Sequence, residues 1–254
     1  MLFDSHAHYD STRFDSDRHQ LLASMPDCGV GRILNAGCDL ASSRAAAALA
    51  HQYGFLWAAV GSHPDDADHV DDALLEEYRR LAADERVVAI GEIGLDYHYE
   101  DVPREIQKQA FIRQLELARE LQLPVIVHER EAHGDGMEII RRYPEVTGVF
   151  HCYSGSLEMA RELVSLGWYV GFTGVLTFKN ARKTLEVAEN VPLYRLLLET
   201  DCPYMAPEPF RGRRCDSGML HRTAEKLAEL RGVSPEEIAR ITWENASRLF
   251  RIKL

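Results

Sequence analysis

The chain has 254 residues, about the length of one (β/α)8 barrel, and its 46% apolar and 27% charged content are those of an ordinary globular protein. Its formal net charge of −11 disfavours a surface that wraps duplex nucleic acid, because phosphates would be repelled outside a local site. No apolar run approaches the roughly 18 residues that span a bilayer, and the N-terminus lacks the basic and apolar regions of a secretory signal. We therefore expect a cytoplasmic protein with no membrane contact.

The cysteines also favour a cytoplasmic location. Their number is odd and no two form a CxxC pair, which favours free thiols in a reducing environment over a disulfide framework. They are Cys28, Cys38, Cys152, Cys202 and Cys215.

Strand and helix patterns alternate along the whole chain. Eight short apolar runs predict strands that include residues 2–3, 31–35, 56–60, 87–91, 125–127, 147–150, 168–172 and 195–198. Helical patterns cover about 16–25, 42–52, 72–83, 103–121, 135–142, 157–166 and 180–189, and two more helices close the chain. We expect Ser42 or Ser43 to cap the second of these helices.

This alternation predicts an α/β protein of the (β/α)8 TIM-barrel class, formed as one domain over residues 1–254. An open, doubly wound sheet is the alternative, but no GxGxxG motif follows the first strand to favour it.

Histidines and carboxylates follow the apolar runs at one end of the predicted strands. His6 and His8 would project to the same side of a strand, because they are two residues apart. Glu92 is followed by apolar residues that should be buried, and a buried carboxylate needs a partner. Since the C-terminal ends of barrel strands share one face, the sequence predicts a divalent metal site with nitrogen and oxygen donors. Its predicted ligands are His6, His8, Glu92, His128, His151 and Asp201.

Each ligand also has a purely structural alternative. A His-x-His pair arises by chance on surfaces, and either His128 or His151 alone is more often a core or surface residue. Glu92 could instead form a buried ion pair with an arginine, and Asp201 could cap a helix before Pro203. The six donors gain weight because they recur at equivalent positions.

Six donors exceed the four that one tetrahedral ion needs, which favours two ions that share Glu92. His6, His8 and Asp201 would complete one shell, and His128 and His151 the other. Two such ions, about 3.5–4 Å apart, hold a phosphoryl group and activate a water. Four imidazoles favour zinc, manganese or another transition ion over a site for magnesium alone.

Cationic residues are predicted around this site. His63 closes the third strand and could contact a substrate phosphate. Arg211, Arg213 and Arg214 cluster on the loop after Asp201, and the seventh strand–helix unit adds Lys179 and Arg182. Such a rim suits an anionic substrate, although a solvated, partly ion-paired loop is the alternative. The remaining histidines are expected on the surface: His19, His51, His69, His98, His133 and His221.

Taken together, these residues resemble the TatD family of metal-dependent deoxyribonucleases, within the amidohydrolase-like barrels. The matching stretches run in the family's order from residue 4 to residue 250, so the resemblance covers the chain. They are DSHAH (4–8), GSHP (61–64), GEIGLDY (91–97), LPVIVH (123–128), HCYSG (151–155), ETDCPY (199–204), PFRG (209–212) and NASRLF (245–250).

The resemblance implies an amidohydrolase-like barrel with two divalent ions, Mg, Mn or Zn, that share Glu92. It also implies 3′-to-5′ exodeoxyribonuclease activity on single-stranded DNA or 3′ ends, with no obligatory protein partner. Glu92 and Asp201 would be catalytic, and His63 and Arg211 would lie near the phosphate.

Two stretches depart from the family's usual pattern. Residues 215–217 are Cys-Asp-Ser instead of Asn-Glu-Pro, and Glu129 follows His128 where the family usually has Ser or Thr. A carboxylate beside the metals would repel a phosphate or attract another cation. We therefore keep two alternatives: a metal-dependent amidohydrolase or deacylase that acts on amides or esters, aminoacyl-tRNA included, and a non-catalytic protein with a structural metal.

Overall fold

A computed structural model describes residues 1–99 and 101–253. The strands are β1 (Leu2–Ala7), β2 (Val30–Ala36), β3 (Leu56–Val60), β4 (Val87–Asp96), β5 (Val125–Arg130), β6 (Gly148–Phe150), β7 (Tyr169–Phe172) and β8 (Leu196–Leu198). The helices are α1 (Arg18–Ser24), α2 (Leu40–Gln52), α3 (Asp72–Leu81), α4 (Arg104–Leu121), α5 (His133–Ile140), α6 (Leu157–Ser165), α7 (Arg182–Asn190), α8 (Leu220–Arg231) and α9 (Pro235–Leu249). The strands follow one another in chain order in one eight-stranded sheet.

The chain divides into two compact units, Met1–Asn35 with Cys152–Leu254 (unit 1) and Ala36–His151 (unit 2). The expectation of one domain over residues 1–254 stays a prediction.

Unit 1 contains β1, β7, β8 and most of β2. β1 pairs with β2, and β7 with β8, in parallel. Every residue of β1, β7 and β8 is buried, as expected of parallel strands that are covered on both faces. Helix α9 packs against β1 and β8 and against α8. This packing fixes the ends of β1 and β8, which carry the first group of predicted ligands.

Unit 2 contains β3 to β6, and each neighbouring pair is parallel. All ten residues of β4 are buried, and α4 packs against this strand while α2 packs against β3. Gly94 lies where β4 approaches β5 most closely: its φ is +142°, and an added Cβ would lie 2.0 Å from the carbonyl oxygen of His128. A glycine is therefore required at this point of the sheet.

β4 and β5 extend beyond the apolar runs 87–91 and 125–127 to Asp96 and Arg130, because Ile93 and Leu95 are buried and keep pairing with β5. Glu92 and His128 therefore lie within strands, not just past their ends.

The start of α2 also differs from the prediction. Its N-cap is Asp39, not Ser42 or Ser43: the Asp39 carboxylate accepts a hydrogen bond from the backbone N of Ser42 (2.7 Å), and Ser42 Oγ accepts one from the Asp39 backbone N (2.9 Å). This reciprocal capping box fixes the helix start two residues earlier than predicted. In the described residues, no helix is both long and apolar enough to cross a membrane.

Candidate metal centre

His6, His8 and Asp201 converge in unit 1. The backbone N of Asp201 donates to the carbonyl of His6 (2.9 Å), and the N of His8 donates to the carbonyl of Cys202 (2.8 Å), so the ends of β1 and β8 lie side by side. The two imidazole Nε2 atoms are 3.0 Å apart, and Asp201 Oδ1 lies 3.4 Å from that of His8 and 3.8 Å from that of His6. All three side chains direct one donor atom to a common point.

A buried hydrogen-bond network supports this group, and sequence reasoning missed it. Asp4, two residues before His6 on β1, accepts hydrogen bonds from the backbone N (2.9 Å) and Oγ1 (2.6 Å) of Thr200 and from Oγ of Ser217 (2.6 Å). Burial raises the pKa of the Asp4 carboxyl to about 6, against the effect of these hydrogen bonds, which lower it. Asp4 thus ties β1 to the residue before Asp201, and the alternation of strand residues gave no sign of that contact.

Glu92, His128 and His151 converge in unit 2. Glu92 Oε1 lies 2.7 Å from His151 Nε2 and 2.9 Å from His128 Nδ1, and the two nitrogens are 3.2 Å apart. The other carboxylate oxygen of Glu92 lies 3.7 Å from Cys38 Sγ. Glu92 is 3% exposed, so a buried carboxylate faces two imidazole nitrogens.

His63 joins the same group. Its Nε2 lies 3.9 Å from Glu92 Oε1, and its ring centre lies 4.4 Å from that of His128. Its Nδ1 accepts a hydrogen bond from the backbone N of Asp65 (3.2 Å), which fixes the ring at the start of a short 3-10 helix. The structure therefore places His63 at the cluster itself, closer than an outer contact to a substrate phosphate would require.

Asp96 at the end of β4 was not predicted as a site residue. Its Oδ2 lies 3.1 Å from Nε2 of His128, the ring nitrogen opposite the one that faces Glu92. Burial lowers the pKa of the His128 imidazole, but the hydrogen bonds and negative charges of Asp96 and Glu92 outweigh it and raise that pKa to about 10. The two carboxylates on either side of His128 therefore favour a positive charge at this position.

Both groups have the donor chemistry of a divalent metal site. In unit 1, donor atoms of His6, His8 and Asp201 lie within 4.8 Å of one another, and in unit 2 the same holds for His63, Glu92 and His128. Mixed imidazole nitrogen and carboxylate oxygen donors suit zinc, manganese and similar ions. The residues present thus fit the metals that the resemblance implies.

The basic loop after Asp201 is only partly available to a substrate. Arg214 forms an ion pair with Asp17 (Nη2 to Oδ2, 2.5 Å), which agrees with the alternative of a partly ion-paired loop for this residue. Arg211 and Arg213 are exposed, as are Lys179 and Arg182.

Glu129 does not face the donors of unit 2. Its carboxylate pairs with His133, the first residue of α5, and accepts a hydrogen bond from the backbone N of Ala132 (2.7 Å), so it is held at the start of that helix. The Glu129 carboxylate is therefore directed to residues at the start of α5, and the repulsion of a phosphate that the sequence suggested is not expected.

The remaining histidines and the cysteines mostly lie as expected. Four of the six histidines are exposed, whereas His133 and His221 are half-buried: His133 pairs with Glu129, and Nδ1 of His221 lies 2.7 Å from the carbonyl of Gly218. All five cysteines are thiols and not disulfide partners.

Parallel strands in chain order, with imidazoles and carboxylates in their C-terminal halves and just beyond them, are the arrangement of the metal-dependent hydrolases of the (β/α)8 class. A family model described as TatD related DNase matches residues 3–251, so the chain belongs to the TatD family. The chain is 44% identical to the uncharacterized metal-dependent hydrolase YabD of Bacillus subtilis, over 99% of this chain and 100% of that protein. It is 38% identical to the 3′-5′ ssDNA/RNA exonuclease TatD of Pantoea vagans, over 99% and 100% of the two chains.

A solved structure agrees with this assignment. The crystal structure of YjjV, a TatD homologue from Escherichia coli, matches with a TM-score of 0.93 and 34% identity, over 99% of this chain and 98% of that one. The predicted (β/α)8 TIM-barrel class and the resemblance to the TatD family are confirmed. The protein is an enzyme of the metal-dependent hydrolase class.

Proposed function

We propose that the enzyme hydrolyses phosphodiester bonds in DNA and removes nucleotides from the 3′ end of single strands. The observation that carries this proposal is the convergence of imidazole and carboxylate donors on buried strand ends. The relative from Pantoea vagans, which is named a 3′-5′ ssDNA/RNA exonuclease, supports the choice of substrate and polarity.

Six residues would hold two divalent ions, Mg, Mn or Zn. In unit 1 they are His6, His8 and Asp201, and in unit 2 they are Glu92, His128 and His151. That the ions share Glu92 stays a prediction from the sequence. When bound, such ions activate a water for attack and offset negative charge on the phosphoryl group. The Asp201 carboxylate, whose Oδ1 faces the Nε2 atoms of His6 and His8, is the proposed acceptor of the proton that the water loses.

His63 and Arg211 are the proposed contacts to the substrate phosphate. His63 is partly exposed, and because its Nδ1 accepts a hydrogen bond from Asp65 N, its Nε2 carries the hydrogen that would be donated to a phosphate oxygen. Arg211 is exposed, and its guanidinium lies 4.3 Å from the centre of the Phe178 ring. This cation–π contact restricts the conformations of the arginine side chain.

The direct test compares two carboxylate-to-amide changes in unit 2. Glu92→Gln should lower hydrolysis of a single-stranded oligodeoxynucleotide by more than about 100-fold, since even outer partners of metal ligands cost 10–100-fold when removed. Glu129→Gln, on the neighbouring strand, is the matched control and should retain most activity because its carboxylate faces α5. Thermal melting of both variants checks that they fold. Full activity of Glu92→Gln would contradict the proposal.

A cytoplasmic location and the lack of an obligatory protein partner stay predictions. The five cysteine thiols support the first of these.

A further inference from the structure

Three exposed arginines of unit 1 lie against aromatic rings. The guanidinium carbon of Arg211 is 4.3 Å from the centre of the Phe178 ring, that of Arg13 is 5.4 Å from Tyr204, and that of Arg213 is 5.9 Å from Phe210. None of the three forms an ion pair with a residue that the structure describes.

Two arginines on the outer helices of the same unit differ: Arg222 on α8 and Arg240 on α9 pair with glutamates of their own helix. Although the chain has a net charge of −11, guanidinium groups without a carboxylate partner among the described residues follow two proposed metal ligands: Arg13 on the 3-10 helix after His8, and Arg211 and Arg213 on the loop after Asp201. Such groups leave positive charge available to an anionic ligand.

The pair of Arg13 and Tyr204 lies beside the metal-ligand group of unit 1. The backbone N of Tyr204 donates to the carbonyl of Asp201 (2.9 Å), so the tyrosine is held one turn beyond this ligand. Arg13 lies on the short 3-10 helix Thr12–Phe14, a few residues after His8. The two residues therefore follow the ends of β8 and β1, where the donors converge.

Tyr204 presents a large aromatic surface to solvent at this position. It is 50% exposed, and the next residue, Met205, is 40% exposed, whereas most large apolar side chains of the chain are buried. An exposed aromatic ring with a guanidinium on it offers stacking area and positive charge together. An unpaired nucleotide of a single strand has the complementary features: its base has an aromatic face and its phosphate is negatively charged.

We propose that Tyr204, with Arg13, forms a stacking subsite for a nucleobase of a single-stranded substrate, next to the phosphodiester that is hydrolysed. This inference rests on the proposed function, and it specifies that the enzyme selects its substrate by an unstacked base as well as by phosphate. Bases inside a duplex do not expose their faces, so the subsite selects single strands and frayed ends.

The test measures how much the two 3′-terminal bases of a substrate raise kcat/KM. Its substrates are a 5′-labelled six-nucleotide thymidine oligomer and an oligomer of equal length with abasic sugars at the two 3′-terminal positions, both with manganese present. The quantity compared is the ratio of kcat/KM for the two substrates. Tyr204→Leu should lower this ratio about 5- to 150-fold, the range expected for loss of one stacked base, whereas Tyr204→Phe should preserve it.

Tyr194→Leu is the matched control. Tyr194 is 58% exposed and lies 5.8 Å from the Arg195 guanidinium, but it precedes β8, at the opposite end of the strand from Asp201. Its substitution should leave the ratio unchanged.

The outcomes separate this inference from the proposed function. If the wild type cleaves both oligomers and Tyr204→Leu keeps the wild-type ratio, the stacking subsite is wrong while the nuclease function stands. If the wild type cleaves neither, the proposed function is wrong, and fluorescence anisotropy of the same oligomers then decides on stacking. Equal affinity of the wild type for both oligomers would overturn the subsite, and a loss of preference only in Tyr204→Leu would support it.

Discussion

At the scale of single residues, Asp96 controls the orientation of the His128 ring. Its carboxylate lies 3.1 Å from Nε2, and Glu92 lies 2.9 Å from Nδ1, so the ring is held between two carboxylates. Asp96 itself is fixed by the backbone N of His98, 2.8 Å from its Oδ1. A partner on the far nitrogen selects the tautomer that presents Nδ1 to a metal.

Removing this partner should weaken metal binding without unfolding the protein. We expect Asp96→Asn, which keeps a hydrogen-bond acceptor but loses the charge, to lower affinity for manganese or zinc about 10-fold, and Asp96→Ala up to about 100-fold. Isothermal titration calorimetry on metal-stripped protein measures this. Asp135→Asn is the control. Asp135 lies on α5, accepts a hydrogen bond from the Tyr97 hydroxyl (2.6 Å) and contacts no proposed ligand. Unchanged affinity in both Asp96 variants would contradict a positioning role.

Some side chains could be predicted from the sequence because their position alone identifies them. A histidine or carboxylate that directly follows a buried apolar run must lie near a strand end, and the predicted ligands were found in this way. Asp4, Asp96 and the pairing of Glu129 with His133 could not be found, because each depends on a partner whose direction only the folded backbone sets. The partner of Arg214 could not be found for the same reason, since Asp17 is far away in sequence.

At the scale of elements, the pairing of β4 with β5 sets the place of two proposed ligands. The ladder continues through Gly94 opposite His128 to Asp96 opposite Arg130. Apolar runs in the sequence end earlier than these strands, because Glu92 and His128 interrupt them with polar residues. These polar residues are proposed ligands, so the strands were underestimated in length at the positions of the candidate site.

Gly94 gives a test of this close approach. Gly94→Ala should lower the free energy of unfolding by at least about 2 kcal/mol, because φ is +142° and the new Cβ would lie 2.0 Å from the His128 carbonyl oxygen. Gly134→Ala on α5 is the opposite case, since nothing lies within 4 Å of its Cβ, and should stabilise the helix by up to about 1 kcal/mol. Urea denaturation of both variants measures the two changes. Equal stability of the Gly94 variant and the wild type would show that the backbone here can relax.

At the scale of the whole molecule, the net charge of −11 and the arginines for which the structure describes no ion pair would act together on the proposed substrate. The acidic surface would repel the remote parts of a nucleic acid, while Arg13, Arg211 and Arg213 would attract it locally. Binding of a single strand should therefore involve few phosphates.

The salt dependence of binding measures that number. With about three phosphates contacted, the slope of log K against log salt concentration should be near −2, since single strands give about −0.7 for each phosphate. Anisotropy titrations of a labelled oligomer from about 50 to 200 mM salt provide the slope. A slope steeper than about −5 would indicate an extended cationic surface, which the charge distribution does not predict.

The fold class could be predicted from the alternation of strands and helices, because that pattern repeats eight times and tolerates errors at single boundaries. The substrate could not, since the same ligand set serves phosphodiester, amide and ester hydrolysis.

The most direct measurement of the central claim is hydrolysis of a 5′-labelled single-stranded oligodeoxynucleotide by metal-stripped protein, with magnesium, manganese or zinc added back. We expect no cleavage without metal and, with metal, a ladder of products that shorten from the 3′ end. The order of rates would also rank the three ions. If metal binds but no oligonucleotide is cleaved with any ion, the nuclease proposal is wrong, and amide and ester substrates are the next to be tried.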